Sequence, residues 1–323
     1  MADRPSATSP VLAREVARPI PQPRSRLGRH RALWAYIFIS PAILALLLFA
    51  LGPILFTFWV SVHDWNLIAP IPDMPFVGLE NYRYILTKDA TFQQALRNTF
   101  IFTILGVGAN TVLGLLGALL LNSPIRARAI WRSIFFLPIL TAPLALGMMW
   151  TALLNKNYGL VNEILGVFHI PPQPFLSNPD QALPSIILIA IYQYVGYYII
   201  LYTAGLQGIP QEYYDAAAVD GANKWQTFWS ITLPLLRPVL LFIIVTNTIG
   251  ALQVFDIVFA ATTGGAETSG GGPAGSTMVV VLHMYNTAFK FFRMGRATAM
   301  ATILFAIIFI ITLIQLRLLR QRE

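Results

Sequence analysis

Four side chains within one short stretch, Gln193, Tyr194, Tyr197 and Tyr198, fall on a broad helical face at about 100° per residue. Together they offer an amide, hydroxyls and ring faces of the kind that sugars commonly meet. Asn247 and Gln253 add amides on different faces of a later helix. The tyrosines equally suit an interfacial belt or hydrogen bonds between helices, and Asp256 suits a cap or an ion pair near a helix end. Catalysis has little to work with here. His30, His63, His169 and His283 are scattered, with no pair at metal-ligand or acid–base spacing. Cysteine is absent, which removes thiolate nucleophiles, thiolate metal sites and disulfides. Lys88, Lys156, Lys224 and Lys290 are the only lysines, and none follows a glycine. No Gly-x-x-x-x-Gly-Lys-Ser/Thr loop is therefore present to cradle nucleotide phosphates. The chain reads as a non-enzyme without a cofactor or metal of its own.

The elements that must hold these groups are unusually apolar. Of 323 residues, 56% are hydrophobic and 11% charged, with a mean hydropathy of +0.63; soluble chains carry about a quarter charged residues. A helix needs about 20 mainly apolar residues to cross a bilayer, because lipid gives its backbone no hydrogen-bonding partner. Six stretches qualify, at 35–62, 98–121, 133–154, 183–206, 239–259 and 297–316. The expected fold class is an all-α integral membrane bundle of six spans over 33–319. The first span lacks a small-residue cleavage pattern and exceeds signal-peptide length, so it reads as a retained helix. Residues 1–32, rich in Pro and Arg and without periodicity, read as a disordered basic tail. Pro53, Pro138 and Pro143 should kink their spans, as static packing or as hinges. Leu282, Tyr285, Phe289 and Phe292 have helical apolar spacing and are expected along the membrane face.

Arginine and lysine set the orientation, because bases near a span tend to stay on the cytoplasmic side. The tail, the second and fourth connections and the C-terminus hold fifteen bases, and the remaining connections seven. Both termini are thus expected in the cytoplasm. The net charge of +8 then reads as an orientation signal and weak contact with anionic lipid, not as a nucleic-acid surface. Asp256, near an outer end, is the only acid or base inside any span. Proton- or sodium-coupled carriers usually place such groups deep in the bilayer.

The connection 208–235 carries the densest local signals. Pro210 fits a helix start, with Glu212 and Asp215 in the first turns where negative charge is favoured. Ala216, Ala217 and Ala218 favour helix, and Gly221 can supply the positive φ that ends it. A second short helix from about Asn223 carries Trp225, Phe228 and Trp229, until Pro234 and Pro238 set the entry to the fifth span. Taken alone, this is an amphipathic helix-turn-helix whose aromatics sit among headgroups.

The string Asp215-Ala216-Ala217-x-x-Asp220-Gly221-Ala222, followed by Phe228, Ile231, Leu233 and Pro234, resembles the EAA loop of permease subunits in bacterial ATP-binding cassette importers. Phe76 to Tyr82, Asn98-Thr99, Leu252 to Asp256 and Tyr285-Asn286-x-Ala288-Phe289 are similar to the carbohydrate-uptake branch, so the resemblance runs over roughly Leu33 to Leu319. It implies a sugar-translocating subunit in the cytoplasmic membrane, with Asp215, Ala216, Ala217, Asp220, Gly221 and Ala222 as the contact core for a separate ATPase. That ATPase would use ATP and Mg, and the resemblance also implies a second permease subunit and an extracytoplasmic solute-binding protein. Two features depart from the pattern. Asp215 stands where the motif usually has Glu, which shortens its reach. The Gly-rich loop 262–277 is longer than the family's short turn and is either a mobile lip at the entrance or an inert insertion. The reading from another class is a stand-alone channel or secondary carrier for a small polar solute.

Overall fold

The computed structural model describes residues 26–123, 126–262 and 270–319, so residues 1–25 of the expected tail and 263–269 of the Gly-rich loop lie outside the described residues. All regular elements described are helical, and the chain divides into a unit up to Ile54 and a unit from Leu55.

The first unit is α1 (Arg26–Leu46), a π-helical turn (Leu47–Leu51) and the start of α2 (Gly52–Ser61). The helix begins at Arg26, which corrects the expectation of disorder up to residue 32. No proline falls between Pro23 and Pro41, so the backbone there keeps its donors. Pro53 has no N–H and its ring crowds the carbonyl four residues back. That residue, Phe49, lies in the widened π turn that accommodates it.

In the second unit α3 (Glu80–Thr87) precedes α4 (Ala90–Asn122), α5 (Arg128–Phe136) and, after a 3-10 turn (Leu137–Leu140), α6 (Pro143–Leu153). Next come α7 (Leu160–Val167), α8 (Pro179–Gln207), α9 (Gln211–Val219) and α10 (Lys224–Thr227). A π turn (Phe228–Thr232) and α11 (Leu233–Leu235) lead to α12 (Arg237–Leu252) and α13 (Asp256–Thr262). The unit ends with α14 (Val280–Tyr285), a π turn (Asn286–Lys290) and α15 (Met294–Leu319). Among the described residues four helices, Leu33–Ser61, α4, α8 and α15, are long and apolar enough to cross a membrane, or six if each of two bent pairs is one span.

Two of the six expected spans are broken, the third of the six at the prolines expected to kink it. Residues 133–154 fall in two helices, Arg128–Leu140 and Pro143–Leu153, meeting at 98°. Pro138 sits in the 3-10 turn, and Ala142 before Pro143 is extended (ψ 132°), as the residue preceding a proline prefers. The helix of 239–259 stops at Leu252 and restarts at Asp256, and the segment Lys224–Leu235 meets α12 at 64°.

α4 and α8 run parallel and close together. A Cβ at Gly114 would stand 2.9 Å from Tyr198 Cβ, and one at Gly117 2.6 Å from Ile199 Cδ1, so glycine lets the two helices approach. Near residues 208–235 they join α12 in a cluster of Ala118, Tyr202, Leu206, Leu236 and Ile243. The larger cluster at the other end includes Phe92, Phe102, Ile186, Val258 and Met300. Leu282 lies in this core, fully buried, and α14 packs against α4 and α15. The expected exposure of that stretch is therefore overturned for Leu282. Val279 and Val280 beside it are equally buried, whereas Phe289 and Phe292 of the same stretch are exposed.

Polar ties fasten the same end. Asn98 Nδ2 donates to the carbonyls of Met278 (2.9 Å) and Gly275 (3.2 Å), and the Val280 amide donates to Thr99 Oγ1. Residues 273–275 of the Gly-rich loop are thus held against α4. Asp89 caps α4 by accepting from the Phe92 amide and pairs with His283 Nε2 at 2.9 Å. Burial would raise the Asp89 carboxyl, but the hydrogen bonds from His283 and Phe92 outweigh it and hold it below the usual carboxylate range.

Candidate functional site

Between the two clusters lies a cavity of about 200 Å³. Its walls come from α4 (Phe102, Gly106, Asn110), α8 (Ala190, Tyr194, Tyr198), α12 (Asn247, Gly250, Ala251) and the break beyond α12, with Gln253, Phe255 and Asp256. Pro143, at the start of α6, closes one side. Both helix breaks therefore abut the cavity. Interrupted spans of this kind persist inside membranes only where protein or water satisfies the freed backbone.

Four of the six sequence-selected pathway residues, Tyr194, Tyr198, Asn247 and Gln253, meet here. Asn247 and Gln253 would sit on different faces of a continuous helix. They share one cavity because α12 ends at Leu252, after which the helical period no longer applies. Asp256, expected to cap or pair near the surface, is the first residue of α13 and lines the same space. It is the one ionisable carboxylate among the lining residues.

Gln193 and Tyr197, expected on the same face, do not line this cavity. Gln193 is 1% exposed, and its Nε2 donates to the Thr141 carbonyl at 3.2 Å, in the break between the 3-10 turn and α6. It thus supplies a donor to a carbonyl that the two prolines prevent from joining a helix. Three residues on, a Cβ at Gly196 would overlap the Phe135 carbonyl, so α8 touches the preceding segment through bare backbone. Tyr197 packs in the smaller cluster and meets Tyr198 edge to face.

The connection 208–235 folds much as its sequence suggests. Pro210 is the cap (φ −58°, ψ 136°) and not the first helical residue. At the other end of α9 the Ala222 amide donates to Ala217 (2.9 Å) and the Gly221 amide to Ala218 (3.2 Å), with Gly221 at φ +75°. That is the Schellman arrangement, which requires a left-handed residue at the glycine. Asn223 then opens α10 through a capping box with Gln226, each side chain taking the other's backbone N–H at 2.9 Å. Pro234 lies four residues after Ser230 in the π turn, the same device as at Pro53. Of the six contact-core residues, Asp215, Ala216, Asp220 and Gly221 are exposed, Ala222 is half-buried, and Ala217 is buried beneath. Asp215 Oδ1 accepts from Gln211 Nε2 at 3.2 Å.

Sequence reasoning missed Asn110 and the clamping role of Gln193. Asn110 carried a signal, being a lone amide in the middle of a long apolar run, four residues from Gly106 and from Gly114.

Residues 110–323 match the family of binding-protein-dependent transport system inner membrane components. The chain is 34% identical over 302 residues to the trehalose/maltose transport system permease protein MalF of Thermococcus litoralis, covering 93% of this chain and 98% of that one. It is 32% identical over 304 residues to the lactose transport system permease protein LacF of Rhizobium radiobacter, with coverage of 93% and 98%. The fold matches a crystal structure of a bacterial ABC transporter that imports the acidic polysaccharide alginate, with a TM-score of 0.79 at 22% identity over 93% of this chain and 100% of that one. The chain belongs to the binding-protein-dependent transport system inner membrane component family. It is a multi-pass inner-membrane permease subunit of an ATP-binding cassette importer.

Proposed function

We propose that this subunit moves a saccharide through the cavity between its two clusters, driven by ATP and Mg on a separate cytoplasmic ATPase that docks on residues 208–235. The observation that carries the reading is the break after Leu252, which gathers Gln253 and Asp256 beside Tyr194, Tyr198 and Asn247 in one cavity of amides, hydroxyls and ring faces. The names of the relatives, trehalose/maltose and lactose permeases, agree with that chemistry. In this reading α5 and α6 together make the third span and α12 with α13 the fifth, which gives six, and both termini lie in the cytoplasm with α9 and α10.

Asp215, Ala216, Asp220 and Gly221 form the exposed docking edge, while Ala217 and Ala222 brace it from below. A stiff helix joined by turns to two spans transmits rigid-body motion that a flexible loop would absorb. A second permease completes the pathway, a solute-binding protein delivers the saccharide on the opposite side, and lipid surrounds the bundle. The test is uptake of trehalose, maltose and lactose into vesicles holding the permease pair, the ATPase and the binding protein. ATP-dependent accumulation of a saccharide supports the reading, whereas ATP-independent flux through this chain alone favours the channel or carrier.

A further inference from the structure

A crevice of about 670 Å³ opens between the last turns of α4 and the loop 208–235. Leu116 and Leu119 line it from α4, Tyr214 and Ala218 from α9, and Trp225 and Phe228 from the segment that follows. Its hydroxyls are already satisfied. Tyr214 Oη pairs with Thr232 Oγ1 at 3.3 Å, and Thr227 Oγ1 donates to the Asn223 carbonyl at 2.9 Å. Lys224, also in the wall, is exposed, and its ammonium has no hydrogen bond or ion pair among the described residues.

The position of the crevice narrows what can fill it. Leu116 and Leu119 precede the end of α4 at Asn122 by about 9 and 4.5 Å along the axis, still inside the apolar run 98–121. Leu113, Leu116 and Leu120 are exposed, so the crevice continues into the apolar flank of α4. With the loop on the cytoplasmic side, as proposed above, that flank meets the inner leaflet. A water-soluble segment would have to leave water to reach these leucines, whereas an acyl chain already lies at that depth. Lysine and tryptophan at such a rim seek the headgroup layer. Apolar walls that end at one uncompensated cation complement a molecule with an apolar tail and an anionic head. A zwitterionic head would bring a cation of its own toward Lys224.

We propose that the crevice is a binding site for an anionic glycerophospholipid of the inner leaflet, with a chain along Leu116, Leu119 and Phe228 and the phosphate at Lys224 beside the Trp225 ring. Tyr214 and Ala218, one turn apart, turn a single face of α9 to the chain, and Asp215, Ala216 and Asp220 lie off that face at about 100° per residue. The lipid thus backs the helix whose other side is the docking edge, and lipid and ATPase bind without competing. The inference rests on the cytoplasmic placement of 208–235 and is independent of the saccharide.

Trp225 serves as the reporter. The assembled transporter is reconstituted in phosphatidylcholine with a small fraction of phosphatidylglycerol or phosphatidylcholine bearing brominated chains, which quench indole fluorescence on contact. The Trp225 signal is the difference between wild type and Trp225→Phe. Brominated phosphatidylglycerol should quench it several-fold more than brominated phosphatidylcholine at the same fraction. Lys224→Gln should bring the two lipids level, and Lys224→Arg should keep the preference. Equal quenching in wild type, or a preference that survives in Lys224→Gln, would overturn the site. A Trp225 signal that neither lipid quenches would also overturn it and assign the crevice to a protein segment of the assembly. Sidedness is read separately on Ser230→Cys, in a chain without native cysteine. A membrane-impermeant maleimide outside spheroplasts should leave it unlabelled until the membrane is permeabilised. Labelling from outside would overturn the cytoplasmic placement of the loop and the inner-leaflet site with it, whereas a failure of lipid selection alone leaves that placement standing.

Discussion

Residues 208–235 and the central cavity are built in opposite ways. The loop is fixed by groups close together in sequence: Gly221 closes α9 onto Ala217 and Ala218, and Asn223 and Gln226 cap each other. The cavity is fixed by groups far apart. Gln193 reaches Thr141, Gly196 meets Phe135, and Asn110 lies across from Asn247 only because α4, α8 and α12 pack together. Local determination makes a stiff surface element that keeps its shape while the rest moves. Distributed determination makes a cavity whose form changes whenever two helices shift.

Perturbing the distributed contacts should therefore cost more than perturbing the loop. The largest effect is expected from Gly196→Leu, where the new carbon would overlap the Phe135 carbonyl. Overpacking of this kind costs about 1–3 kcal/mol or more, so the yield of monodisperse complex in detergent should fall sharply. An unchanged yield would mean that α8 and the preceding segment are not in backbone contact. Gln193→Leu comes next, since it strips the Thr141 carbonyl of its donor. A buried polar group left unsatisfied costs about 1–3 kcal/mol, to be read as a lower thermal midpoint in detergent.

Gly221→Val separates the two regions. A left-handed β-branched residue costs roughly 1–2 kcal/mol, and open space surrounds the site. Insertion and yield should therefore persist while ATP-driven uptake drops; normal uptake would remove the loop from the coupling role. The smallest effect belongs to Asp89→Asn. The Asp89 carboxyl titrates below its ordinary value, so its contribution is present above that ordinary value and fades as pH falls through the lowered one. The thermal-midpoint gap between wild type and D89N should narrow from neutral pH to strong acid, and a gap that widens would contradict the Asp89–His283 pairing.

The same contrast sets how much was legible in the sequence. The spans as apolar runs, α9 with its glycine stop and α10 with its asparagine start follow from composition and neighbouring residues. The breaks at Thr141 and Gln253 were not legible, although Pro138 and Pro143 marked the first as a kink. A proline announces a lost donor but not the angle, which depends on the partner that Gln193 supplies. The second break has no proline or glycine within 253–255. Helical periodicity therefore placed Asn247 and Gln253 on different faces and left Asp256 at the surface. Tyr197 and Gln193 shared a face with Tyr194, yet a face 100° wide touches several neighbours, and only packing decides which residue meets open space.

The coupling of loop to cavity is tested most directly by ATP-driven saccharide uptake, measured with ATP hydrolysis in the same vesicles, for wild type and Gly221→Val in the fully assembled transporter. Hydrolysis that continues while uptake falls is the predicted result. Saccharide flux of equal size with the ATPase left out would contradict the account.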